Sequence, residues 1–456
     1  MFKPYHQNQL QLLPPDLSDM FPKNHIARLI NHAVDDMDIS FIERTYSPEG
    51  QHAYHPRMLL KILVYGYASG VRSSRKLADR LKEDIVFMWL AGRLTPDFRT
   101  IADFRKDKLS GFKKVFEQIL DTCFEVGLIR VGKIAIDGTK IRASASKNKA
   151  VYRVNLFRRK DLIRQKVEEI IKEAEGLDLE EDQLYGNSTP HQTDKTFTKE
   201  DIVKAVRKVE QKRKKLEREK TILKAKTREI TRKERLMRRD RNSFVSSDPD
   251  STVMQMKEGY IAPGYNVQLA TEHQAILGYG VSSDRNDTQL LQPMIEEVKE
   301  RTHRKPEAAI TDMGYGTKKN YRYLKKQRIT GYVPYAMYEQ EKVLRNKGLY
   351  QPPKEPDREL ERYKFLTRLR LQSEEGKLMM KRRRQDVEPV FGNLKRNMGF
   401  RRFNLRGKHK CELELGLFSV AHNLLKIKNW VKKMIEWDDG KKKVQELGIV
   451  LGYLSA

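Results

Sequence analysis

The first part of the chain repeats apolar residues at helical spacing. Between residues 55 and 127 they recur every three or four positions, for example at Met58, Leu59, Ile62 and Leu63. We expect Gly70 to end one helix, Ser73 or Ser74 to cap a second, and Thr95-Pro96-Asp97 to begin another. The pattern therefore predicts an all-helical N-terminal domain over residues 1–130.

A strand-like pattern replaces the helical one after residue 131. Residues 132–143 are predicted to form a strand. Residues 265–270 alternate, and residues 275–281 follow after a short turn, which predicts a β-hairpin. A helix over 288–301, a strand over 307–311, a helix over 318–327 and a strand over 329–334 follow. This succession predicts an α/β core with a mixed sheet covered by helices.

Residues 151–241 interrupt that core with a long, highly charged segment. Apolar residues recur there at a weak heptad spacing, at Ile202, Val206, Val209, Leu216, Leu223 and Ile230. We predict a helical insertion over 151–245, with a loop over residues 176–198 that joins two helices. The many cations of residues 212–241 favour an arm that follows DNA, and a solvated helix surface is the alternative.

The net charge of the whole chain limits the kinds of partner that the protein is expected to bind. Its 456 residues include 91 Lys and Arg against 62 Asp and Glu, which gives a net charge of +29. Such an excess favours binding to a polyanion, above all to nucleic acid. A generally solvated basic surface or a ribosome-associated protein is the alternative. No apolar run reaches the ~20 residues of a membrane span, so we expect a cytoplasmic protein, associated with the nucleoid through DNA.

Other protein classes are disfavoured by the sequence. The N-terminus lacks the pattern of a signal peptide. Two cysteines, Cys123 and Cys411, cannot form a disulfide framework or a cysteine-rich zinc site. In the helical region, Arg75 and Lys76 lie with Arg72 and Arg80 near a predicted turn. This arrangement is typical of a helix-turn-helix DNA reader, although a plain bundle with a basic face has the same pattern.

Three carboxylates stand in positions suited to metal binding. Asp137 follows the apolar run Ile134-Ala135-Ile136, Asp312 ends the run Ala309-Ile310-Thr311, and Glu388 lies in a basic helical segment. Phosphoryl transfer on DNA uses two divalent cations about 4 Å apart, and Mg²⁺ prefers such oxygen ligands. Taken singly, each aspartate is more typical of a strand-end cap and the glutamate of a surface ion pair. The ordered trio in a basic chain favours a metal site.

Two cations accompany Glu388 on its helix. Arg384 precedes it by four residues and Lys395 follows it by seven, so helical periodicity puts all three on one face. These cations suit a metal site that also holds a phosphate. Other carboxylates compete for the role of ligand, namely Asp248, Asp250, Asp284 and Asp287. We interpret residues 283–287 as a turn.

At these residues the chain resembles the DDE transposases of bacterial insertion sequences, in the IS4/IS5-like grouping and most closely the IS1182 family. The matching segments are residues 135–140, 311–315, 384–395, 399–407 and 421–426. The helical region from residue 56 to 105 is similar as well. One departure is Lys381, which stands where the family often has a tyrosine, seven residues before the glutamate.

The resemblance implies a fold, a reaction and a set of partners. It implies an RNase H-like core in which Asp137, Asp312 and Glu388 bind two Mg²⁺ ions, with Mn²⁺ able to substitute. It further implies cleavage at terminal inverted repeats, strand transfer into target DNA, and a homodimer in the DNA complex. The residues expected to contact DNA or phosphate are Arg384, Lys395, Arg75, Lys76, Arg401 and Arg406.

The predicted boundaries divide the core into several pieces. After the helical domain come core residues 131–150, the insertion 151–245, core residues 246–337, a charged and partly helical insertion 338–380, the glutamate helix and final core helix 381–430, and a tail 431–456. Two other functions remain open at this point. One is a DNA nuclease on the same fold, and the other is a non-catalytic DNA-binding derivative of a transposase.

Overall fold

The computed structural model describes residues 16–47, 53–108, 111–185, 199–237, 242–352, 355 and 357–435. Its contacts divide the chain into two compact units. One unit comprises residues 1–144 and 254–456, and the other comprises residues 145–253. The N-terminal helices and the main sheet therefore share one unit. Of the predicted tail, residues 436–456 lie outside the described residues.

Helices make up much of the described chain. In order they are α1 Ile26–Asp36, α2 Ser40–Glu43, α3 Pro56–Ala68, α4 Ser74–Glu83, α5 Ile85–Leu90, α6 Phe98–Asp103, α7 Phe112–Glu125, α8 Arg153–Tyr185, α9 Lys199–Leu236, α10 Leu291–Thr302, α11 Lys318–Gln327, α12 Tyr338–Asn346, α13 Arg358–Gln372, α14 Glu374–Gly392 and α15 Lys408–Ile435. A π-helical turn, Asn393–Asn397, continues α14. The last helix reaches five residues into the predicted tail.

Strands are shorter and fewer. They are β1 Lys133–Arg142, β2 Ala150–Tyr152, β3 Ser243–Val245, β4 Thr252–Gln255, β5 Ile261–Glu272, β6 Ala275–Ser282, β7 Ala308–Ile310 and β8 Thr330–Tyr332. The hairpin β5–β6, the helix α11 and the strands β7 and β8 fall where the sequence pattern predicted them. A mixed α/β architecture is therefore confirmed.

Local sequence signals explain several helix ends in the N-terminal region. Pro56 occupies the first turn of α3, where its missing N–H costs nothing, and the His55 ring accepts a bond from Arg57 N. The predicted start at residues 95–97 is confirmed, because the Asp97 carboxylate accepts the N–H groups of Arg99 and Thr100 at the beginning of α6. Ser73 precedes α4, but its side chain makes no capping bond.

The main sheet places β1 at its centre. Among the described residues it has six strands, in the order β4-β5-β1-β7-β8, with β6 paired to β5. β1 is antiparallel to β5 and parallel to β7, and β7 is parallel to β8. Ala135 is paired with Ile310. Asp137 and Asp312 each follow this pair by two residues, so the parallel register sets them side by side.

A buried carboxylate fixes the entry to β1. Glu272, at the end of β5, accepts the backbone N–H groups of Arg130, Val131 and Gly132 at 2.7, 2.8 and 2.9 Å. Val131 has a φ of 62°, in the left-handed region that β-branched residues rarely adopt. Three charge-assisted bonds to one carboxylate hold this turn in place. This turn therefore sets the register of β1, the strand that carries Asp137.

The C-terminal helix α15 packs against both the sheet and the N-terminal helices. Its Asn423 side chain bonds the N–H and the carbonyl of Ile276 on β6, both at 2.8 Å. Glu414, also on α15, is fully buried and accepts the N–H groups of Asn404 and Leu405. Arg72 reaches the same carboxylate at 3.5 Å. The predicted DNA-reading turn near Arg72 is thus anchored to this helix.

The second unit is a helical hairpin with a small sheet. Helices α8 and α9 pack against each other, and β2 pairs with β3 in antiparallel fashion. Val209, Leu223 and Ile230 are buried on α9 at heptad spacing, as the pattern predicted. The predicted loop over 176–198 is wrong at its start, because α8 continues to Tyr185. Residues 186–198 lie outside the described residues.

The charged stretch before the glutamate helix is also largely helical, since α12 and α13 lie within residues 338–380. Within the described part of the chain, no helix is long and apolar enough to cross a membrane.

His422 links α15 to the π-helical turn. Its Nε2–H donates to the Gln274 carbonyl at 2.8 Å, and its Nδ1 accepts from the Asn393 side-chain amide at 2.9 Å. The bond from Asn393 requires the neutral ring, because a protonated Nδ1 would face an amide donor. Burial lowers the pKa of His422 to about 4.

We predict acid destabilisation from His422. Its folded-state pKa lies below the ordinary 6.5, so the stability it contributes is present above pH 6.5 and is lost as the pH falls toward 4. The loss amounts to at most about 3 kcal/mol. Urea unfolding from pH 8 to pH 4 should show a steeper decline for the wild type than for His422→Gln. Parallel curves for the two proteins would contradict the assignment.

Candidate active site

A single cavity joins the three carboxylates that the sequence singled out. Asp137, Asp312 and Glu388 all line a space of about 640 Å³. They come from β1, from the segment after β7 and from α14. The fold therefore brings together residues that lie far apart in the sequence. The other lining residues are Gly138, Thr139, Lys140, Gln255, Met256, Lys257, Asn266, Asp287, Arg383 and Phe391.

Asp137 is largely withdrawn from water. Its side chain is 15% exposed, one oxygen accepts the N–H of Gly138 at 2.8 Å, and the other receives Arg383 Nη1 at 3.0 Å. Burial raises the pKa of this carboxyl above its ordinary value, Arg383 opposes that rise, and the nearby Asp312 adds to it. The site therefore holds a carboxylate that gains from a nearby cation.

Asp312 is held by the backbone that follows it. Its carboxylate accepts the N–H of Gly314 at 2.9 Å and caps a short 3₁₀ turn, Met313–Tyr315. Burial raises the pKa of Asp312, the Gly314 bond opposes the rise, and Asp287 adds to it. Asp312 thus acts on Asp137, and Asp287 acts on Asp312, so a cation in this cavity would stabilise the ionised carboxylates.

Glu388 and Lys395 approach the cavity from the helical side. Glu388 is exposed on α14, whereas Lys395 is half-buried in the π-helical turn and donates from Nζ to Thr139 Oγ1 at 2.6 Å. Thr139 lies two residues beyond Asp137 on β1. Burial lowers the pKa of Lys395, and the positive charge of Lys257 lowers it further. An anion in this region would stabilise the protonated form of Lys395 against both burial and the charge of Lys257.

Arg383 reaches the cavity where the sequence had singled out its neighbour Arg384. Arg383 is 14% exposed and contacts Asp137, whereas Arg384 is exposed and lies outside the cavity lining. Helical periodicity favours Arg384 as the companion of Glu388. A long arginine side chain on the adjoining face nevertheless reaches the strand, and spacing alone cannot reveal that reach.

Asp287 is a fourth carboxylate in the cavity. The predicted turn over residues 283–287 is indeed a non-helical, non-strand connection, yet it carries this side chain inward. Its Oδ1 accepts both Asn266 Nδ2 and Gln268 Nε2 at 2.7 Å. The hydroxyl of buried Tyr315 donates to Gln268 Oε1. A buried polar network thus underlies the two aspartates.

The other competing carboxylates lie elsewhere. Asp248 and Asp250 belong to the second unit, and Asp284 is exposed and bonds Ser282. Within the described residues, no group of three or more His, Cys, Asp or Glu side chains is close enough together to hold a metal ion. The three predicted ligands therefore share a cavity without forming a closed coordination set.

A second, basic cavity adjoins the first. It measures about 490 Å³, and both cavities are lined by Lys140 and Met256. Its other lining residues are Ile141, Arg142, Glu258, Tyr260, Lys395, Arg396 and Arg401. The Arg142 guanidinium lies 5.7 Å from the centre of the Tyr260 ring. Cations beside an exposed aromatic ring form a surface suited to a nucleic-acid strand.

The remaining predicted DNA contacts lie outside both cavities. Arg406 is exposed and donates from Nε to the Ser144 carbonyl at 2.8 Å. Arg75 and Lys76 are exposed on α4, and the Arg75 guanidinium lies 5.2 Å from the centre of the Phe98 ring. Their positions leave them accessible to a large ligand.

Comparison with known proteins gives two matches to protein families. A family described as a transposase domain matches residues 15–107, and a family described as a transposase DDE domain matches residues 248–424. No curated protein and no solved structure matches the chain. The DDE match includes Asp312 and Glu388, whereas Asp137 precedes it and lies outside both matched ranges.

The close packing at Gly138 yields a stability prediction. A Cβ there would lie 2.7 Å from Asp287 Oδ1 and closer still to Gln268 Nε2. We expect Gly138→Ala to lower the free energy of unfolding by about 1–3 kcal/mol, because the methyl group would displace Gln268 and Asp287 from their mutual hydrogen bond. Gly392→Ala is the matched control, because nothing lies within 4 Å of its added Cβ. Urea unfolding measures both. Equal stability of the two variants would contradict the packing.

Proposed function

Since the chain belongs to the DDE transposases of insertion sequences, which cut DNA and transfer its strands, we propose that Asp137, Asp312 and Glu388 are its catalytic carboxylates. In this proposal they bind two Mg²⁺ ions, for which Mn²⁺ is able to substitute. DDE transposases use divalent metal ions, so the chemistry requires a site of this kind. The observation that carries the assignment is the meeting of all three carboxylates in one cavity.

The sheet supports an RNase H-like core. Its central first strand has an antiparallel hairpin on one side and two parallel strands on the other. This arrangement agrees with RNase H-like folds. Asp137 lies on the central strand, and Asp312 lies two residues beyond its parallel neighbour β7. The structure thus supports a role for Asp137 even though the DDE family match begins beyond it.

The donor chemistry fits divalent metal. Carboxylate oxygens are the ligands that Mg²⁺ prefers. Partial burial raises the pKa of both Asp137 and Asp312, and the guanidinium of Arg383 already pairs with Asp137. Glu388 is exposed on α14, so its side chain is free to turn toward the aspartates when charge is placed between them.

Each residue has a separate task in the reaction. Bound metal supplies activation of the attacking oxygen and stabilisation of the leaving oxygen. The Gly138 and Gly314 N–H groups orient Asp137 and Asp312 from the backbone. Lys395, held at Thr139 beside the cavity, would contact the phosphate and balance the negative charge that develops there. Arg384 and Arg401 would hold the adjoining backbone, with Arg401 lining the basic cavity.

DNA binding follows from the family and from the charge of the chain. Fixed cations at Arg75, Lys76 and Arg406 would bind phosphates away from the cut. The substrates in this proposal are the terminal inverted repeats of the element and its target DNA. Because two ends must be processed together, we propose a homodimer in the DNA complex. A cytoplasmic, nucleoid-associated location belongs to the same proposal, since it depends on DNA binding.

We predict that the carboxylates are required for both chemical steps. Asp137→Asn, Asp312→Asn and Glu388→Gln should each lower cleavage and strand transfer by more than about 100-fold, because even outer partners of metal ligands account for ~10–100-fold. The assay uses supercoiled DNA that carries the element's ends, with Mg²⁺ or Mn²⁺. Asp284→Asn is the matched control, since this carboxylate is exposed and outside the cavity lining.

Three other outcomes of this assay would indicate a different site or a different function. Cleavage that survives Asp312→Asn would reject the proposed site. Cleavage by the wild type without any strand-transfer product would indicate a nuclease. Binding of the ends without cleavage would indicate a non-catalytic derivative.

A further inference from the structure

We propose that Arg383 competes with the metal for Asp137: its guanidinium pairs with this carboxylate and is displaced when a divalent ion binds. This inference rests on the proposed function of Asp137 as a metal ligand. Arg383 would then act first on Asp137, by holding its carboxylate, and afterwards on a DNA phosphate, once it is displaced.

The geometry of the ion pair carries the argument. Arg383 Nη1 lies 3.0 Å from Asp137 Oδ2, and both side chains are largely buried, at 14% and 15% exposure. The other oxygen of Asp137 already accepts the Gly138 N–H. Each oxygen keeps a further lone pair, but a metal ion bound there would lie close to the guanidinium, and their positive charges would repel each other. Metal entry therefore favours release of the arginine.

The hydrogen-bonding groups of the Arg383 guanidinium are only partly satisfied. Its Nε is buried and has no hydrogen-bond partner among the residues that the structure describes. A buried donor without a partner costs stability, so this orientation of the guanidinium is only partly compensated. Arginine matches phosphate oxygens through two parallel bonds. A DNA phosphate in the cavity would give both the Nε and the displaced terminal nitrogen an acceptor.

The shape of the site is consistent with such an exchange. Arg383 and Glu388 lie on the same helix, and both line the cavity with Asp137 and Asp312. Among the described residues, no three or more His, Cys, Asp or Glu side chains lie close enough together there to hold a metal ion. Release of Arg383 from Asp137 would open one carboxylate oxygen. It would also leave a cation near the phosphate that the reaction must hold.

The exchange links metal binding to DNA binding. When a phosphate draws Arg383 away from Asp137, the metal no longer has to compete for that carboxylate. The metal and the DNA backbone should therefore raise each other's affinity, since such coupling is reciprocal. The wild type should gain metal affinity on binding DNA more than a variant that lacks Arg383.

The test is Mg²⁺ binding by the full-length protein without DNA, measured by calorimetry and by the shift in melting temperature between EDTA and Mg²⁺. Arg383→Gln should bind Mg²⁺ about tenfold more tightly than the wild type and show a larger Mg²⁺-induced shift. Lys381→Gln is the matched control, because it removes one exposed cation from the same helix. Adding DNA should narrow the difference between the wild type and Arg383→Gln.

Unchanged or weaker Mg²⁺ binding by Arg383→Gln would overturn this inference. Arg383→Lys keeps the charge with a single compact donor group, and an intermediate affinity is expected; it replaces the glutamine variant if that protein fails to fold. Asp137→Asn separates the two hypotheses. If it abolishes Mg²⁺ binding while Arg383→Gln has no effect, the metal site stands and the competition is wrong. If it leaves Mg²⁺ binding intact, the proposed role of Asp137 fails.

Discussion

The burial of negative charge in one cavity determines how the surrounding structure is built. Asp137 and Asp312 are both desolvated, and burial raises the pKa of each. A buried carboxylate is tolerated only where hydrogen bonds or cations compensate for lost water. Here the compensation comes from two backbone N–H groups and from Arg383. In a chain of net charge +29, these residues form a local exception that suits a divalent cation.

Several parts of the fold hold the acidic cavity around Asp137 and Asp312 in place. Glu272 fixes the turn before β1, and the parallel pairing of β1 with β7 brings the two aspartates to the same point of the sheet. The absence of a side chain at Gly138 leaves room for the amide and carboxylate network beneath. On the helical side, Lys395 bonds Thr139, and Asn393 bonds His422. Contacts within the protein thus fix both the strand that carries Asp137 and the π-helical turn that carries Lys395.

Much of this architecture could be predicted from the sequence, because its elements have clear periodicity. The hairpin β5–β6, the helix α11 and the strand that precedes Asp312 are where the apolar pattern places them. The loop predicted over 176–198 from its polar composition is wrong at its start, since α8 continues through Gly176 to Tyr185. A glycine weakens a long helix by only about 1 kcal/mol, which its neighbours readily outweigh.

The cavity itself was only partly predictable. Residue type and order identified Asp137, Asp312 and Glu388, and the fold places them together. The sequence does not predict the role of Arg383, because helical spacing favours Arg384. Spacing does not specify the direction or the reach of a long side chain. Asp287 was interpreted as part of a turn, which describes its backbone but not the direction of its carboxylate. Such directions depend on the register of distant strands, which a single sequence does not specify.

The most direct test of the account is the anomalous diffraction of crystals grown with Mn²⁺. The account predicts anomalous peaks in the cavity, within bonding distance of Asp137, Asp312 and Glu388, with the Arg383 guanidinium no longer paired to Asp137. Manganese bound elsewhere, or held by Asp287 while Asp137 keeps its arginine, would contradict it.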